Sequence, residues 1–350
     1  MNGLFEIYLG LRSKKGYSNS MADSNKWQVI NADDFHVPAA PTVTKVQQQW
    51  KSLLRLLGIH ESEPEEEDDN DHQSTVKKEF DRRPAVKALN NHLNEWSKKK
   101  ESTVCFLLDP PFSGTDDIAC DWAKQKKWEI LTPPDSAKIR NLDIDGWWKE
   151  QKNKNNWLIN DLTRYLIRTS YGLPFIRELL PRILFGEFGK GLVVCDSWMF
   201  AFIQRIWPLK FSKVYCFAAA GPELLKQVGI HAGNKSLQKL AARVHGNVGI
   251  ALTVRSIEQN EDRKLPELPG EANDITSFIL YSVLMHRHLS SSQLQEILTM
   301  LPAEELNLQL FQLKQYGILN YNEDQWGINV EAYLAVRDFL NNRAFLLDIF

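Results

Sequence analysis

Cysteine is scarce in this sequence, and its spacing excludes two architectures. The four cysteines are Cys105, Cys120, Cys195 and Cys216, and no two of them form a Cys-x-x-Cys pair. Disulfide frameworks and structural zinc sites both depend on such closely spaced thiols. We therefore predict reduced cysteines, of the kind found in the core of a cytosolic protein.

Long apolar runs and an excess of one charge are also missing. No segment approaches the ~20 apolar residues that cross a bilayer, and the first ten residues, MNGLFEIYLG, are not followed by a signal-peptide cleavage site. The 42 basic residues face 44 acidic ones, so no global positive field is available to hold nucleic acid. We expect a cytoplasmic protein without a transmembrane segment, for which nucleic acid is an unfavourable partner.

The composition changes along the chain and predicts several units. Residues 1–75 predict an irregular N-terminal arm (1–45), a short helix (50–57) and an acidic linker (61–73, ESEPEEEDDNDHQ). Residues 76–221 predict an α/β domain, and 222–257 a helical lid. A Pro-rich link at 258–272 separates this lid from residues 273–350.

In the α/β part, short apolar runs alternate with amphipathic segments. The predicted strands are 103–109, 128–131, 156–160, 191–196 and 213–217, and the predicted helices are 116–126, 161–169, 173–184 and 198–207. This alternation predicts a parallel sheet covered by helices on both faces, a three-layer α/β fold. Asp109, Asn160 and Asp196 end three of these strands, where ligands bind in open α/β sheets.

The C-terminal third is predicted to be mainly helical. Within 222–257, Gly246 and Gly249 are expected to separate two helical turns. Residues 273–350 predict helices at 274–286, 291–300 and 303–316, two strands (GILNY and QWGINV), and a last helix through Leu347. This order resembles a winged helix.

The sharpest motif lies between the first strand and the first helix, in the run DPPFSGTDD at 109–117. A phosphate-binding loop has the pattern Gly-x-x-x-x-Gly-Lys-Ser/Thr, because its glycine amides, lysine and hydroxyl bind the phosphates and magnesium. Aligned on Gly114, this chain has Asp109 for the first glycine, Thr115 for the lysine and Asp116 for the hydroxyl residue. Like charges about 4 Å apart repel by roughly 4 kcal/mol at an effective dielectric near 20, so tight MgATP binding is disfavoured.

Two alternatives to such an eroded phosphate loop remain open for this motif. It could be a plain strand-to-helix turn, with Asp116 or Asp117 favourable at the positive end of the helix. It could also be a site that binds nucleotide unconventionally.

Four segments, in order, resemble the bacterial AAA+ and STAND groups of P-loop ATPases that carry a C-terminal winged helix. They are DPPFSGT, NNWLINDL (155–162), GLVVCDSW (191–198) and GNVGIALTVRS (246–256), and the resemblance spans about 102–350. It implies a nucleotide site whose candidate residues are Ser113, Gly114, Thr115, Asp116, Asn160, Asp161, Asp196 and Arg255.

In that resemblance, Asn160 and Asp161 take the place of an Asp-Glu pair, Asp196 that of a polar sensor, and Arg255 that of a lid arginine. Asp161 is the one candidate catalytic group. Asp161 could instead be a helix N-cap. Arg255 could instead be a surface or salt-bridged residue. The departures from the family pattern at Thr115, Asp116, Asn160 and Asp196 argue against hydrolysis, because phosphoryl transfer depends on charge stabilisation by these groups. No metal site is predicted, and ATP with magnesium is expected only if the site still functions.

Other residue groups favour structural roles. Asp109, Asp161 and Asp196 could converge to bind a metal ion or do acid/base work, but no histidine pattern accompanies them. His286 and His288 are expected on the surface, and Trp147 and Trp148 in a packed aromatic cluster or a protein contact.

The helix at 303–316 would be the recognition helix of the winged module, yet Glu304 and Glu305 at its start would repel DNA phosphates. Its apolar residues, expected to form a buried face and a partner face, are Leu306, Leu308, Leu310, Phe311 and Leu313.

Three functional hypotheses follow. The favoured one is a degenerate AAA+-like scaffold or regulator, a pseudo-ATPase that acts by binding another protein. The runner-up is an ATP-binding switch or weak ATPase that uses the same crevice. A winged-helix DNA-binding regulator is the third.

Overall fold

The computed structural model describes residues 25–41, 80–99, 103–152, 156–207, 209–260, 262–345 and 348–350. The short helix predicted at 50–57 and the acidic linker at 61–73 lie outside these residues. Within the described parts, no helix has both the length and the apolar composition that a membrane span requires.

A six-stranded sheet forms the centre of the fold. Its strands are β1 (Val29–Asn31), β2 (Val104–Asp109), β3 (Glu129–Ile130), β4 (Asn156–Ile159), β5 (Lys190–Asp196) and β6 (Val214–Phe217). Their order is β1-β6-β2-β5-β4-β3. Every neighbouring pair is parallel except β1 and β6, which are antiparallel.

Helices cover both faces of this sheet, as predicted. The α/β part contains α1 (Arg83–Lys98), α2 (Thr115–Lys126), α3 (Ser136–Arg140), α4 (Ile144–Glu150), α5 (Gly172–Leu184) and α6 (Ser197–Ile206). In β2, Cys105 and Leu107 pack in the layer of α1 and α2, whereas Phe106 and Leu108 pack in the layer of α5 and α6. Both faces of β2 are therefore buried, which explains its unbroken apolar run.

The rest of the chain is helical with one hairpin. It comprises α7 (Pro222–Gln227), α8 (Asn234–Arg243), α9 (Val248–Glu258), α10 (Asp274–His286), α11 (Ser291–Ile297), α12 (Ala303–Gln315), β7 (Leu319–Asn322), β8 (Gln325–Ile328) and α13 (Tyr333–Asn342). Helix α10 is buried on nearly all sides, which is the pattern of a central helix. Its C-terminal end reaches the crevice at the carboxyl ends of β2 and β5.

Two predictions for the N-terminal half are wrong. The arm predicted as irregular contributes β1, a strand of three residues that is too short to show a periodic pattern. The helix predicted at 161–169 is only a 3₁₀ turn, Leu162–Tyr165. Beyond this turn, the backbone N–H of Arg168 donates to His286 Nε2 at 3.1 Å and not to a helical carbonyl.

Two predictions for the C-terminal half are also wrong. Gly249 does not separate helical turns but lies inside α9, whereas Gly246 precedes this helix. The last helix ends at Asn342 rather than Leu347, because Arg343 and Ala344 form a turn in which Ala344 has a positive φ of 55°.

Candidate functional site

Two buried carboxylates meet at the carboxyl ends of the central strands. Asp109 ends β2 and Asp196 ends β5, and the two residues are opposite each other in the parallel register. Each is only 1% exposed. A buried carboxylate needs a partner to stay charged, since the protein interior solvates it poorly.

That partner is Arg287, the residue that follows α10. Its Nε donates to Asp196 Oδ2 at 3.0 Å, and its terminal nitrogens contact the carboxylate of Asp109 and lie 3.5 Å from Asp116 Oδ2. Arg287 has a φ of 63° and a ψ of −48°, and the N–H of His288 donates to the carbonyl of His286 at 2.7 Å, which is the pattern of a tight γ-turn. One arginine thus connects the end of α10 to β2, β5 and the start of α2.

The electrostatics of this cluster are those of a buried ion pair. Burial raises the pKa of Asp196 to about 6 and also raises that of Asp109, while Arg287 acts to lower both. Burial opposes the charge of Arg287, but Asp109 and Asp196 raise its pKa well above the ordinary value. The arginine therefore stays protonated, and Asp109 and Asp196 balance its charge.

The loop between β2 and α2 is folded around its own hydroxyl groups. Ser113 N–H donates to the carbonyl of Pro110 at 3.0 Å, which closes a turn. Ser113 Oγ donates to Asp109 Oδ1 at 2.7 Å and lies 2.8 Å from Thr115 Oγ1. Gly114 has a φ of 74°, which a glycine adopts without strain. The polar groups proposed to bind nucleotide are thus engaged in stabilising the loop.

The start of α9 holds this loop from the other side. Asn247 Nδ2 donates to the carbonyl of Pro111 at 2.9 Å. A Cβ added at Gly249 would lie 1.9 Å from the carbonyl oxygen of Phe112, so the backbones approach more closely than any larger residue would allow. The contact between this loop and α9 explains why a glycine occurs inside the helix.

The other candidate residues have other hydrogen-bond partners or positions, although Asp161 lies near enough to Arg287 to help raise its pKa. Asp161 Oδ1 accepts from the backbone N–H and the hydroxyl of Thr163 at 2.9 and 2.6 Å, and thereby caps the 3₁₀ turn. Asn160 is half-buried after the end of β4. Arg255 lies on α9 and donates to the carbonyl of His231 at 3.3 Å. Of the eight candidates, the structure joins Asp116 and Asp196 through Arg287, with Ser113, Gly114 and Thr115 in the adjacent loop.

A cavity of about 460 Å³ opens beside this cluster. It lies between the β2–α2 loop, α9, the end of α10 and the segment after β8. Its lining includes Phe112, Asp116, Thr253, Arg263, His288 and Glu331.

A metal site is not supported by this arrangement. Among the residues that the structure describes, no group of three or more His, Cys, Asp or Glu side chains has the geometry to hold a metal ion. Arg287 lies between Asp109 and Asp196, and Asp161 is turned toward Thr163. The three carboxylates considered together in the sequence are therefore separated by their own partners.

Sequence reasoning missed Arg287 and misplaced His286. His286 is buried rather than on the surface: its Nε2 accepts from Arg168 N–H, and its Nδ1 lies 2.8 Å from the carbonyl of Ser282. His288 is exposed, as expected. One signal was available, because the preceding run FILYSVLM is too apolar for a one-sided surface helix.

Comparisons with known proteins return structures but no family. No family model and no curated protein matches the chain. A Drosophila ORC structure bound to DNA is 12% identical, with a TM-score of 0.35, covering 82% of this chain and 99% of that one. A Walker-type ATPase of Pyrococcus abyssi is 12% identical, with a TM-score of 0.34, covering 76% and 99%. The RuvB Holliday junction branch migration motor of Thermotoga maritima is 13% identical, with a TM-score of 0.33, covering 71% and 91%.

Likenesses this distant carry no conclusion about activity, and the fold assignment depends on the sheet itself. The five parallel strands occur in the order β6-β2-β5-β4-β3, with helices on both faces. This is the three-layer α/β fold that the sequence predicts.

Proposed function

We propose that the protein is a degenerate AAA+-like scaffold, a pseudo-ATPase that acts through contacts with another protein. The observation that supports this proposal is the position of Arg287. It places a tethered cation between Asp109 and Asp196, beside the loop where the resemblance would locate the nucleotide phosphates.

The charge balance supports loss of nucleotide binding. A triphosphate needs cations that are free to contact it, and Arg287 is bound to two buried carboxylates. Releasing it would leave an uncompensated buried charge, which costs about 3–5 kcal/mol in comparable ion pairs. The remaining nearby group, Asp116, carries the same sign as a phosphate.

The loss of a hydrolytic group is part of the same proposal. Asp161 is engaged as a cap for Thr163, and Arg255 donates to a carbonyl on the loop after α7. Both groups would need to change partners before they could activate water or contact a phosphate. The same ion-pair cluster holds α10 on the sheet without any nucleotide.

We further propose that residues 273–350, as a winged-helix-like module, bind a protein rather than DNA. In α12, Leu306, Leu310 and Leu313 are buried, whereas Leu308 and Phe311 are each 56% exposed. The first turn of this helix carries Glu304 and Glu305. An apolar pair with acidic neighbours suits a protein partner and repels a phosphate backbone.

Thermal melting with and without millimolar MgATP tests the nucleotide part. A ligand at 100 times its dissociation constant stabilises by about 2.7 kcal/mol, so binding would raise the melting temperature clearly. We expect no shift. A shift that Asp161→Ala removes would overturn the scaffold proposal in favour of an ATP-binding switch.

The partner part is tested by paired variants of α12. The double variant Leu308→Glu, Phe311→Glu should no longer co-purify with a partner that binds the wild type. It should also fail to bind the same partner when the two purified proteins are mixed. Asn307→Glu with Gln315→Glu adds the same charge at exposed positions and should leave binding intact. Equal loss in both double variants would contradict a role for the apolar pair.

A further inference from the structure

The cavity beside the Arg287 cluster has a composition that predicts its ligand class. Its volume of about 460 Å³ falls within the range of small-molecule sites, about 300–1,000 Å³. Val283, Leu284, Ile328 and Val330 supply apolar wall. This cavity therefore offers an apolar chamber with a few polar groups, the usual design of a small-molecule site.

The charged groups that line the cavity are unequal in number. Four carboxyl groups, those of Asp109, Asp116, Asp196 and Glu331, face two guanidinium groups, those of Arg263 and Arg287. Burial raises the pKa of Asp109 to about 7, so its carboxyl is only partly ionised near pH 7 and the other three acids supply the excess. The surrounding protein desolvates the imidazole of His288 and lowers its pKa even though part of the side chain is exposed, so this imidazole adds no positive charge near pH 7. The cavity thus has an excess of negative charge, which favours a cationic occupant.

Only some of these carboxylates have room for a further partner. Asp196 accepts from the backbone N–H groups of Trp198 and Met199 as well as from Arg287. Asp109 accepts from Ser113 and Arg287. Glu331 forms a salt bridge with Arg263 at 2.6 Å. These three carboxylates are occupied by protein donors.

Asp116 differs from them in both exposure and contacts. Its side chain is 37% exposed. Its Oδ1 accepts from the N–H of Asp117 at 2.8 Å, and its Oδ2 lies 3.5 Å from Arg287, a long contact. Phe112 lines the same cavity and is 37% exposed, so the cavity offers an exposed apolar ring as well as the available carboxylate.

We infer that this cavity binds a small organic cation with an apolar body, such as an aromatic amine or amidine, and that Asp116 pairs with its charged end. Phe112 and the apolar wall contact the body of the ligand. The cavity shares Gly114, Asp116 and Asp196 with the candidate nucleotide site, so this inference rests on the proposal that ATP does not occupy the crevice.

Titration calorimetry with three probes of one shape tests the charge preference. Benzamidine is cationic, benzamide neutral and benzoate anionic. Benzamidine should bind saturably, with benzamide at least about tenfold weaker, a difference of 1.4 kcal/mol, and benzoate not at all. Equal binding of benzamide and benzamidine would overturn the inference. So would the absence of benzamidine binding at a ligand concentration on the order of 10 mM, which would detect even a weak complex.

A matched pair of variants tests the assigned residue. Asp116→Asn removes the available carboxylate, and benzamidine should bind at least about fivefold more weakly. Asp117→Asn removes the next carboxylate, which pairs with Arg82 outside the cavity, and binding should change less than about twofold. Equal effects of the two variants would exclude Asp116 as the binding group.

A third variant tests the location by filling the cavity. Thr253→Leu should abolish benzamidine binding, while the melting temperature reports whether the variant is folded. Retained binding in folded Thr253→Leu would place the ligand elsewhere and refute the inference. Because none of these measurements uses ATP, their failure is distinct from failure of the scaffold proposal.

Discussion

Arg287 Nε donates to Asp196 Oδ2 at 3.0 Å, which joins residues 91 positions apart in the chain. The acceptor ends a central strand, and the donor follows a central helix. The side chains of Arg287 and Asp196 are 18% and 0% exposed. The contact therefore belongs to the interior, where the removal of one partner is far more costly than on the surface.

Arg287→Met should lower the free energy of unfolding by about 3–5 kcal/mol at neutral pH, because Asp109 and Asp196 lose their counter-charge. Urea unfolding measures the loss. Arg83→Met is the matched control, since Arg83 pairs with Asp81 at the surface, and exposed pairs contribute little. Similar losses in both variants would argue against a special role for the buried pair.

Neutralising the two carboxylates should rescue the Arg287→Met variant. The triple variant Asp109→Asn, Asp196→Asn, Arg287→Met has no uncompensated buried charge, so we expect it to regain at least roughly half of the lost stability. The effects of the three substitutions should thus be strongly non-additive. Simple addition of the separate losses in a urea mutant cycle would show that the groups do not interact.

His286 should make the free energy of unfolding decrease at acidic pH. Burial lowers the pKa of His286 to about 4 from 6.5, so the folded state binds fewer protons than the unfolded state between these values. Stability from this group is complete above pH 6.5 and falls as the pH drops toward 4, by at most about 1.4 kcal/mol per pH unit.

The variant His286→Asn isolates this effect. Its deficit relative to the wild type, measured by urea unfolding, should shrink between pH 6.5 and 4, because only the wild type then loses the contribution of the histidine. His231→Asn, at an exposed position, should show no such change. A His286→Asn deficit that stays constant with pH would contradict the buried neutral imidazole.

Gly249→Ala should lower stability by about 1–3 kcal/mol through contact with the Phe112 carbonyl. Gly249 is the second residue of α9, where alanine would otherwise gain up to about 1 kcal/mol over glycine, so the sign of the change is informative. Gly270→Ala is the control, because nothing lies within 4 Å of a Cβ at that position. Thermal or urea unfolding reads both, and a stabilised Gly249→Ala would refute the close approach.

Much of the sheet is predictable because its strands are buried on both faces. Such strands are unbroken apolar runs, and the predicted strands at 103–109 and 191–196 differ by one residue from Val104–Asp109 and Lys190–Asp196. The amphipathic helix at 173–184 is equally clear, since its apolar residues recur with helical spacing. Helices α1, α3 and α4 were not predicted, and α3 and α4 have only five and seven residues.

The site is harder to predict than the fold because its decisive contact is non-local. The sequence does predict that Asp109 and Asp196 end two parallel strands. The arginine that pairs with them is 178 residues beyond Asp109, and no motif marks it. The missing lysine in the β2–α2 loop is visible in the sequence. That Arg287 supplies a positive charge beside this loop is visible only once α10 is packed on the sheet.

The antiparallel edge strand changes how the domain boundary near residue 75 should be understood. Val29, Ile30 and Asn31 pair with Phe217, Cys216 and Tyr215, so the chain before the acidic linker completes the sheet after it. Exposed strand edges recruit other chains. Removal of residues 1–75, by truncation or by cleavage and loss of that fragment, would expose the edge of β6. The remaining protein should then be prone to self-association.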